Sequence, residues 1–194
     1  RTYGLDIRGS VAAHGVYEGV SATAVQIAGL GYDVNVTNGI GLSGSVSASA
    51  NEATATGLAL KSGAQVSTLN LSGTVSANTT TTHSDTAYGL DIGSGATLSS
   101  LKIETGGALT AYGYGTTANA TALRDTSNTL TSLLINGSLS AGITPGDEDE
   151  DDVTDTAVNR AVAIDLSANS VGTTIEVVNA HLDDDDYALP YITG

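Results

Sequence analysis

The chain has 194 residues, with 24 glycines, eight tyrosines and no phenylalanine, tryptophan, methionine or cysteine. Leu, Ile, Val and Ala must therefore fill any core, which disfavours an ordinary compact enzyme and favours a thin, regular interior. The 21 acidic residues against six Lys and Arg give a net charge of -15. That charge excludes nucleic acid and anionic membrane surfaces as partners, because both are bound through clusters of Lys and Arg. Without cysteine, disulfides, thiolate metal sites and cysteine nucleophiles are excluded as well.

Short apolar segments recur along the chain in groups of three. The pentamer Tyr3–Ile7 is repeated identically as Tyr88–Ile92. The leading apolar residues of the first segments recur at a mostly constant interval; they are Leu5, Val25, Leu58, Leu90, Leu123 and Val162. The interval falls within the range of repeat lengths that is typical of solenoid proteins.

Two further segments follow most of the first ones. The second segments are Ile40–Leu42, Leu69–Leu71, Leu101–Ile103, Leu133–Ile135 and Ile175–Val177, and the third are Val46–Ala48, Val75–Ala77, Leu109–Ala111 and Leu139–Ala141. Their apolar-polar-apolar order predicts short strands with one buried face. The many Gly, Ser, Thr and Asn residues disfavour helix.

These features predict an all-β fold, a right-handed parallel β-helix of about six coils, in which residues 1–194 form a single repeat segment of a longer protein. Such strands are too short to be stable alone, but stacking equivalent strands aligns their aliphatic residues in interior ladders. We therefore expect Leu58, Leu90 and Leu123 to lie directly above one another. A two-sheet sandwich is the alternative, but it predicts no sequence identity at a fixed period. Asp125 falls where Leu60 and Ile92 lie in the neighbouring repeats, so we expect the register to slip there or the strand to end early.

The residues that carry these repeats also resemble a known family. The stretches Gly89–Leu98, Ala120–Ala141 and Arg160–Asn169 are similar to the passenger repeats of bacterial autotransporters, and the resemblance is weaker before residue 55. It implies a passenger at the cell surface of a Gram-negative bacterium, exported through its own outer-membrane barrel. This chain would then be an extracellular fragment of the passenger.

Two acidic runs, about one repeat apart, are the candidate metal site. The first lies in an acidic insert loop that we expect at residues 142–155, and the second lies near the end of the chain. Stacked loops of carboxylates repel each other unless cations enter, and Ca²⁺ accepts six to eight flexible oxygen ligands. The spacing only partly matches an EF-hand loop, because Asp152 and Val158 replace its Gly and its final Glu. The sequence therefore allows weak Ca²⁺ binding or solvated loops that limit aggregation. The candidate ligands are Asp147, Asp149, Asp151, Asp155, Asp183, Asp184, Asp185 and Asp186.

The residues that could carry catalysis do not form a recognisable motif. The three histidines are scattered, and no serine lies in a nucleophile turn beside a base. A polysaccharide lyase or glycoside hydrolase on the same scaffold is the alternative. Its carboxylates would be Asp6, Asp91 and Asp165, with Lys102, Arg124 and Arg160 as possible bases. The competing interpretation is that these aspartates only solubilise the outer face.

We therefore expect no enzyme activity and no cofactor other than weakly bound Ca²⁺. The expected function is structural or adhesive, as a stalk, adhesin or fibre, with end-to-end strand pairing to other copies or contact with a surface glycan or protein as the partner. Tyr112 and Tyr114 form the aromatic segment most suited to such contact. Tyr3 and Tyr88 occupy matched repeat positions, where we expect them to pack on the exterior of the solenoid.

Overall fold

The computed structural model describes residues 2–80, 85–115, 117–145, 160–178 and 192–193. Within these ranges the regular structure consists of β-strands, with no helix. None of the described residues forms a helix long and apolar enough to cross a membrane. The predicted all-β class is therefore confirmed.

The strands form three sheets that the chain visits in a fixed order. The first sheet contains β1 (Leu5–Ile7), β4 (Val34–Val36), β5 (Ile40–Leu42), β8 (Ala64–Leu71), β11 (Thr97–Ile103), β14 (Ser132–Ile135) and β17 (Thr174–Val177). The second contains β2 (Ser10–Gly15), β6 (Ser45–Ala50), β9 (Thr74–Thr79), β12 (Ala108–Tyr114), β15 (Ser138–Thr144) and β18 (Ile192–Thr193). The third contains β3 (Ala22–Ile27), β7 (Ala55–Leu60), β10 (Thr86–Ile92), β13 (Asn119–Asp125) and β16 (Ala161–Asp165).

Neighbouring strands within each sheet come from successive turns of the chain and run parallel. In the third sheet, Leu90 lies opposite Leu58 on one side and Leu123 on the other. All three side chains are at most 1% exposed. The predicted vertical stack of these leucines is therefore confirmed, and with it the parallel β-solenoid. Its right-handed winding and the number of about six coils stay predictions.

Aliphatic residues fill the interior in continuous ladders. Each ladder takes one residue from each strand of a sheet, and small and large members alternate between neighbouring ladders. In the second sheet one ladder is Val11, Val46, Val75, Leu109 and Leu139, and the next is Ala13, Ala48, Ala77, Ala111 and Ala141. Because the column between the three sheets is narrow, such side chains fill it at native density without large aromatic rings.

The identical pentamers lie in different sheets, which corrects one predicted alignment. Leu5 lies opposite Ile40 in the first sheet, not in line with Leu58 of the third. The ladder that contains Leu123 also continues through Ile164 instead of Val162. The spacing of the leading apolar residues is irregular at these two places because the chain changes sheet at the first and contains an insertion at the second.

A recurring small residue interrupts the paired positions of each strand of the third sheet. The paired positions in β10 include Tyr88, Leu90 and Asp91 but omit Gly89. A Cβ atom on Gly89 would lie 2.6 Å from the carbonyl oxygen of Ala122 and 2.9 Å from the Leu109 side chain. On either side of Gly89, Tyr88 and Asp91 both contact Arg124, while Leu90 is buried in the core.

Candidate functional site

The predicted Ca²⁺ ligands lie outside the described residues, so the Ca²⁺ site stays a prediction. They are Asp147, Asp149, Asp151, Asp155, Asp183, Asp184, Asp185 and Asp186. At the start of the predicted acidic loop, β15 extends through Thr144 and pairs with β12. The first residues of the predicted 142–155 loop, positions 142–144, are therefore part of a strand. Within the described ranges, no three His, Asp or Glu side chains lie close enough together to hold a metal ion.

A charged cluster lies on the outer face of the third sheet around Asp91. Its carboxylate accepts hydrogen bonds from Lys61 Nζ at 2.5 Å and from Arg124 Nε at 2.8 Å. Arg124 also donates to the Tyr88 hydroxyl at 2.7 Å, and its guanidinium carbon lies 3.8 Å from the centre of the Tyr88 ring. Three neighbouring turns thus contribute one cluster, which we call the Asp91 cluster.

The interactions within the Asp91 cluster favour the charged forms of both Asp91 and Arg124. Burial opposes ionisation of Asp91, but the hydrogen bonds from Arg124 and Lys61 outweigh it and lower the pKa of the carboxyl group. Burial likewise disfavours the charged form of Arg124, yet its contacts with Asp91 raise its pKa. Asp91 is 1% exposed. The prediction that this aspartate serves as a solubilising surface group is therefore wrong.

The other two outward aspartates have different surroundings. Asp6 pairs with Arg8 two residues later, and Arg8 is 78% exposed at its side chain. Asp165 accepts a hydrogen bond from the Ser167 amide at 3.0 Å. A hydrogen bond from the Ser167 side chain, and then this amide bond, lower the pKa of Asp165. Asp6 lies in the first sheet, whereas Asp91 and Asp165 both lie in the third, opposite Arg124 from its two sides.

A second buried carboxylate closes the turn from the third sheet to the first. Asp125 stays in register with Ile92, and β13 ends level with β10. Neither the predicted slip nor the early end occurs. Asp125 is 1% exposed, and its carboxylate accepts hydrogen bonds from the Ser127 amide, the Ser127 hydroxyl, the Leu130 amide and Asn169 Nδ2. Four donors replace the apolar contacts that an aliphatic side chain makes in the other turns.

A groove follows the outer face of the first sheet and consists of three adjoining pockets of about 350, 390 and 350 Å³. The acidic pocket includes Tyr3, Asp6, Arg8, Asn70 and Glu104. The middle pocket shares Asn70 with it and adds Thr2, Asn38, Ser67 and Thr68. The third pocket shares Asn38 and Ser67 with the middle one and adds Asn35, Gln65, Thr97 and Ser99. We call this surface the outer groove.

Two residues shape the acidic pocket. A Cβ atom on Gly41 would collide with the Tyr3 ring, so the ring packs directly on the glycine backbone. Gly41 lies opposite Asn70 in the neighbouring strand. Asn70 is 7% exposed, and its buried Oδ1 atom accepts no hydrogen bond. The lining of the pocket thus includes an aromatic ring and Asn70, whose Oδ1 atom is itself covered.

The tyrosines predicted as a contact segment lie at the end of β12. Tyr112 and Tyr114 are 49% and 38% exposed. A Cβ atom on Gly142 would lie 2.9 Å from the Tyr112 ring, so this ring covers the neighbouring strand. The prediction that Tyr88 packs on the exterior is confirmed, and its partner there is Arg124.

The sequence repeat predicts which residues of the Asp91 cluster are neighbours. Asp91 and Arg124 are one repeat apart, so the period alone places them side by side, and Lys61 follows the corresponding strand one turn earlier. The outer groove had no such signal. It depends on a short extra strand, β4, which pairs with β8 beside β5.

Comparison of the chain with protein-family models, with curated proteins and with solved structures found no match.

Proposed function

We propose that this chain is a structural and adhesive β-helical segment at the surface of a Gram-negative bacterium, part of an autotransporter-like passenger, with no catalytic activity. The observation that carries the proposal is the register-matched stacking of aliphatic ladders under polar outer faces. Such a column presents a repeated surface to its surroundings. Many weak contacts along a repeated surface add up to strong attachment.

Adhesion is tested with fluorescent beads that carry the purified chain. Beads coupled through a C-terminal biotin should stay on cultured epithelial cells or on a glass surface under flow, in larger numbers than beads coated with albumin. Equal retention of both kinds of bead on every surface would contradict the adhesive function. Protease treatment of intact bacteria that express the native protein tests its location, since a surface protein is cleaved while the cells stay whole.

Self-association is the second part of the proposal. The outermost strands of a parallel stack leave backbone groups that can pair with another copy, and a head-to-tail contact of this kind extends into a filament. Electron microscopy of the purified chain should therefore show filaments whose number increases with concentration. A strictly monomeric rod at every concentration would contradict this part.

A β-helical lyase is the second candidate function, because Asp91, Arg124 and Tyr88 converge within hydrogen-bond distance. The burial of Asp91 under two cations argues against it, since a catalytic carboxylate must reach its substrate. Incubation with polygalacturonate, followed by the ultraviolet absorbance of the unsaturated product, tests the lyase. Product formation that is lost in Arg124→Ala would favour the enzyme over the structural role.

A further inference from the structure

We propose that the free edge of β16, the last described strand of the third sheet, binds an extended peptide strand that places Arg or Lys opposite Asp165. This inference rests on the proposed function, in which the outermost strands are open to pairing, and it names the chemistry of a partner for one of them. Among the described strands, β16 pairs with β13 on one side and with none on the other. Unpaired backbone groups at such an edge can extend the sheet by one more strand.

Charges alternate along the outer face of the third sheet towards this edge. Asp91, Arg124 and Asp165 occupy the same register position of β10, β13 and β16. Arg124 donates hydrogen bonds to Asp91 and to the Tyr88 hydroxyl, so its guanidinium group is held on the β10 side. Opposite charges on neighbouring strands, about 4.8 Å apart, attract each other. The next strand in this order would therefore place a cationic side chain beside Asp165.

The interior ladder of the third sheet also ends at β16. Ile164 continues the ladder beyond Leu123, which is fully buried. Ile164 itself is only partly buried. An added strand with an aliphatic residue opposite Ile164 and a small residue opposite Ala161 would cover this end. The strand β13 has this pattern, with Ala120, Leu123 and Arg124 at the corresponding positions.

A second copy that stacks head-to-tail does not fill this position. The chain visits the first, second and third sheets in that order, and its last described strands, β17 and β18, lie in the first and second. If these two strands pair with β1 and β2 of the next copy, one third-sheet strand is missing between β16 and β3 of that copy. The partner is therefore a separate extended segment, which in a filament would pair with β16 on one edge and with β3 on the other.

Fluorescence anisotropy of a labelled peptide with the sequence of residues 119–126 tests the proposal. We expect this peptide to bind the full chain, and its variant Arg124→Glu to bind more weakly by about fivefold or more, through loss of an ion pair near the surface. In the chain, Asp165→Asn should remove this difference, and Asp165→Lys should reverse it. Glu176→Gln is the matched control, because Glu176 is an exposed acid at the same end of the solenoid but on the first sheet; this variant should bind like the wild type.

The register is tested by cross-linking, because the chain contains no cysteine. Val162 lies opposite Thr121 in the pairing of β16 with β13. A peptide in the same register should therefore form a disulfide between its variant Thr121→Cys and Val162→Cys of the chain, since neighbouring strands about 4.8 Å apart suit a disulfide. The peptide variant Asp125→Cys lies out of register with Val162 and should not cross-link.

The proposal is overturned if the unmodified peptide does not bind at millimolar concentration, or if the Asp165→Asn chain, folded by circular dichroism, keeps its preference for the arginine peptide. Equal cross-linking of the two cysteine peptides would overturn it as well. Electron microscopy separates these results from failure of the proposed self-association. If filaments form but the peptide does not bind, only the strand site fails. If the peptide binds but no filaments form at any concentration, self-association fails and the strand site stands.

Discussion

Asp91 illustrates how a single charged residue can stabilise a solenoid from its outer face. Its carboxylate joins Lys61 and Arg124 from the two neighbouring turns. Because the side chains of Lys61 and Arg124 are 41% and 29% exposed, solvent weakens these ion pairs compared with fully buried ones. The cluster therefore contributes less than a fully buried pair, yet removing one partner leaves unpaired charge.

We expect Asp91→Asn to lower the free energy of unfolding by about 1–3 kcal/mol at neutral pH. The folded-state pKa of Asp91 is lowered, so its stabilising effect is present above the unfolded pKa and is lost as the pH falls through the folded pKa. The difference between variant and wild type should therefore shrink as the pH falls below the ordinary pKa of an aspartate. Urea denaturation across pH checks this. Asp6→Asn, which removes an exposed pair, is the control and should change the unfolding midpoint little; a pH-independent effect of Asp91→Asn would contradict the mechanism.

Asp125 provides the second test among single residues. Asp125→Leu restores the aliphatic residue of the neighbouring turns but leaves four donors without their acceptor. We expect a loss of about 2–4 kcal/mol in the free energy of unfolding, because unsatisfied buried donors cost more than the apolar contacts gain. Urea denaturation followed by circular dichroism measures it. The volume-conserving change Ile92→Leu is the control, and equal stability of both variants would show that the network adds nothing.

Among the elements, the strands were predictable from the sequence and their sheet assignment was only partly so. Period and alternation together placed Leu58, Leu90 and Leu123 in one ladder. They could not assign Tyr3–Ile7 to a sheet, because the same five residues fit the first sheet and the third equally well. The ladder from Leu123 to Ile164 was missed by two positions, since the insertion between β15 and β16 changes the spacing.

The candidate sites were less predictable than the strands. The period places Asp91 beside Arg124, yet it does not reveal that Asp91 is buried, which depends on how two long cationic side chains fold over it. Asn169 pairs with Asp125 from beyond the insertion, so no regular spacing connects them. The outer groove depends on the turn at Asn38, whose backbone adopts a positive φ angle of 63°.

The aliphatic ladders predict how much stability is lost when a cavity is made inside a strand's buried face. Leu90→Ala removes a side chain that is 1% exposed and packed between two leucines. The free energy of unfolding should fall by about 2–5 kcal/mol, through lost burial and the cavity left behind. Thr110→Ala, on the outer face of β12, is the control and should stay within about 0.5 kcal/mol of the wild type. Comparable losses in the two variants, measured by urea denaturation, would contradict the ladder as the source of stability.

For the whole molecule, bound cations can reduce the repulsion that results from the net negative charge. Eleven of the 21 acidic residues lie in the two acidic runs, 147–155 and 183–186. We expect millimolar Ca²⁺ to raise the melting temperature of the full chain by reducing carboxylate repulsion. Replacing Asp183–Asp186 by asparagine should reduce the Ca²⁺ response and raise the melting temperature without Ca²⁺.

Mg²⁺ at the same concentration separates Ca²⁺ coordination from general screening of charge. Ca²⁺ accepts more oxygen ligands at more variable distances than Mg²⁺ does, so Ca²⁺ should raise the melting temperature more. An unchanged melting temperature in millimolar Ca²⁺ would end the proposal that the acidic runs bind metal. An equal rise with both ions would leave them as solvated loops whose charge is only screened.

The presence of one pentamer in two sheets has a consequence for how such proteins change length. Recombination between the two coding copies would remove the stretch from Tyr3 to Ala87 and join Thr2 directly to Tyr88. The joint would contain no new sequence within the pentamer, and Tyr88–Ile92, the remaining part of β10, could still pair with β13. Because the two copies lie in the first and the third sheet, the deleted stretch is not a whole number of turns, so such an event would not shorten the rod by complete turns alone.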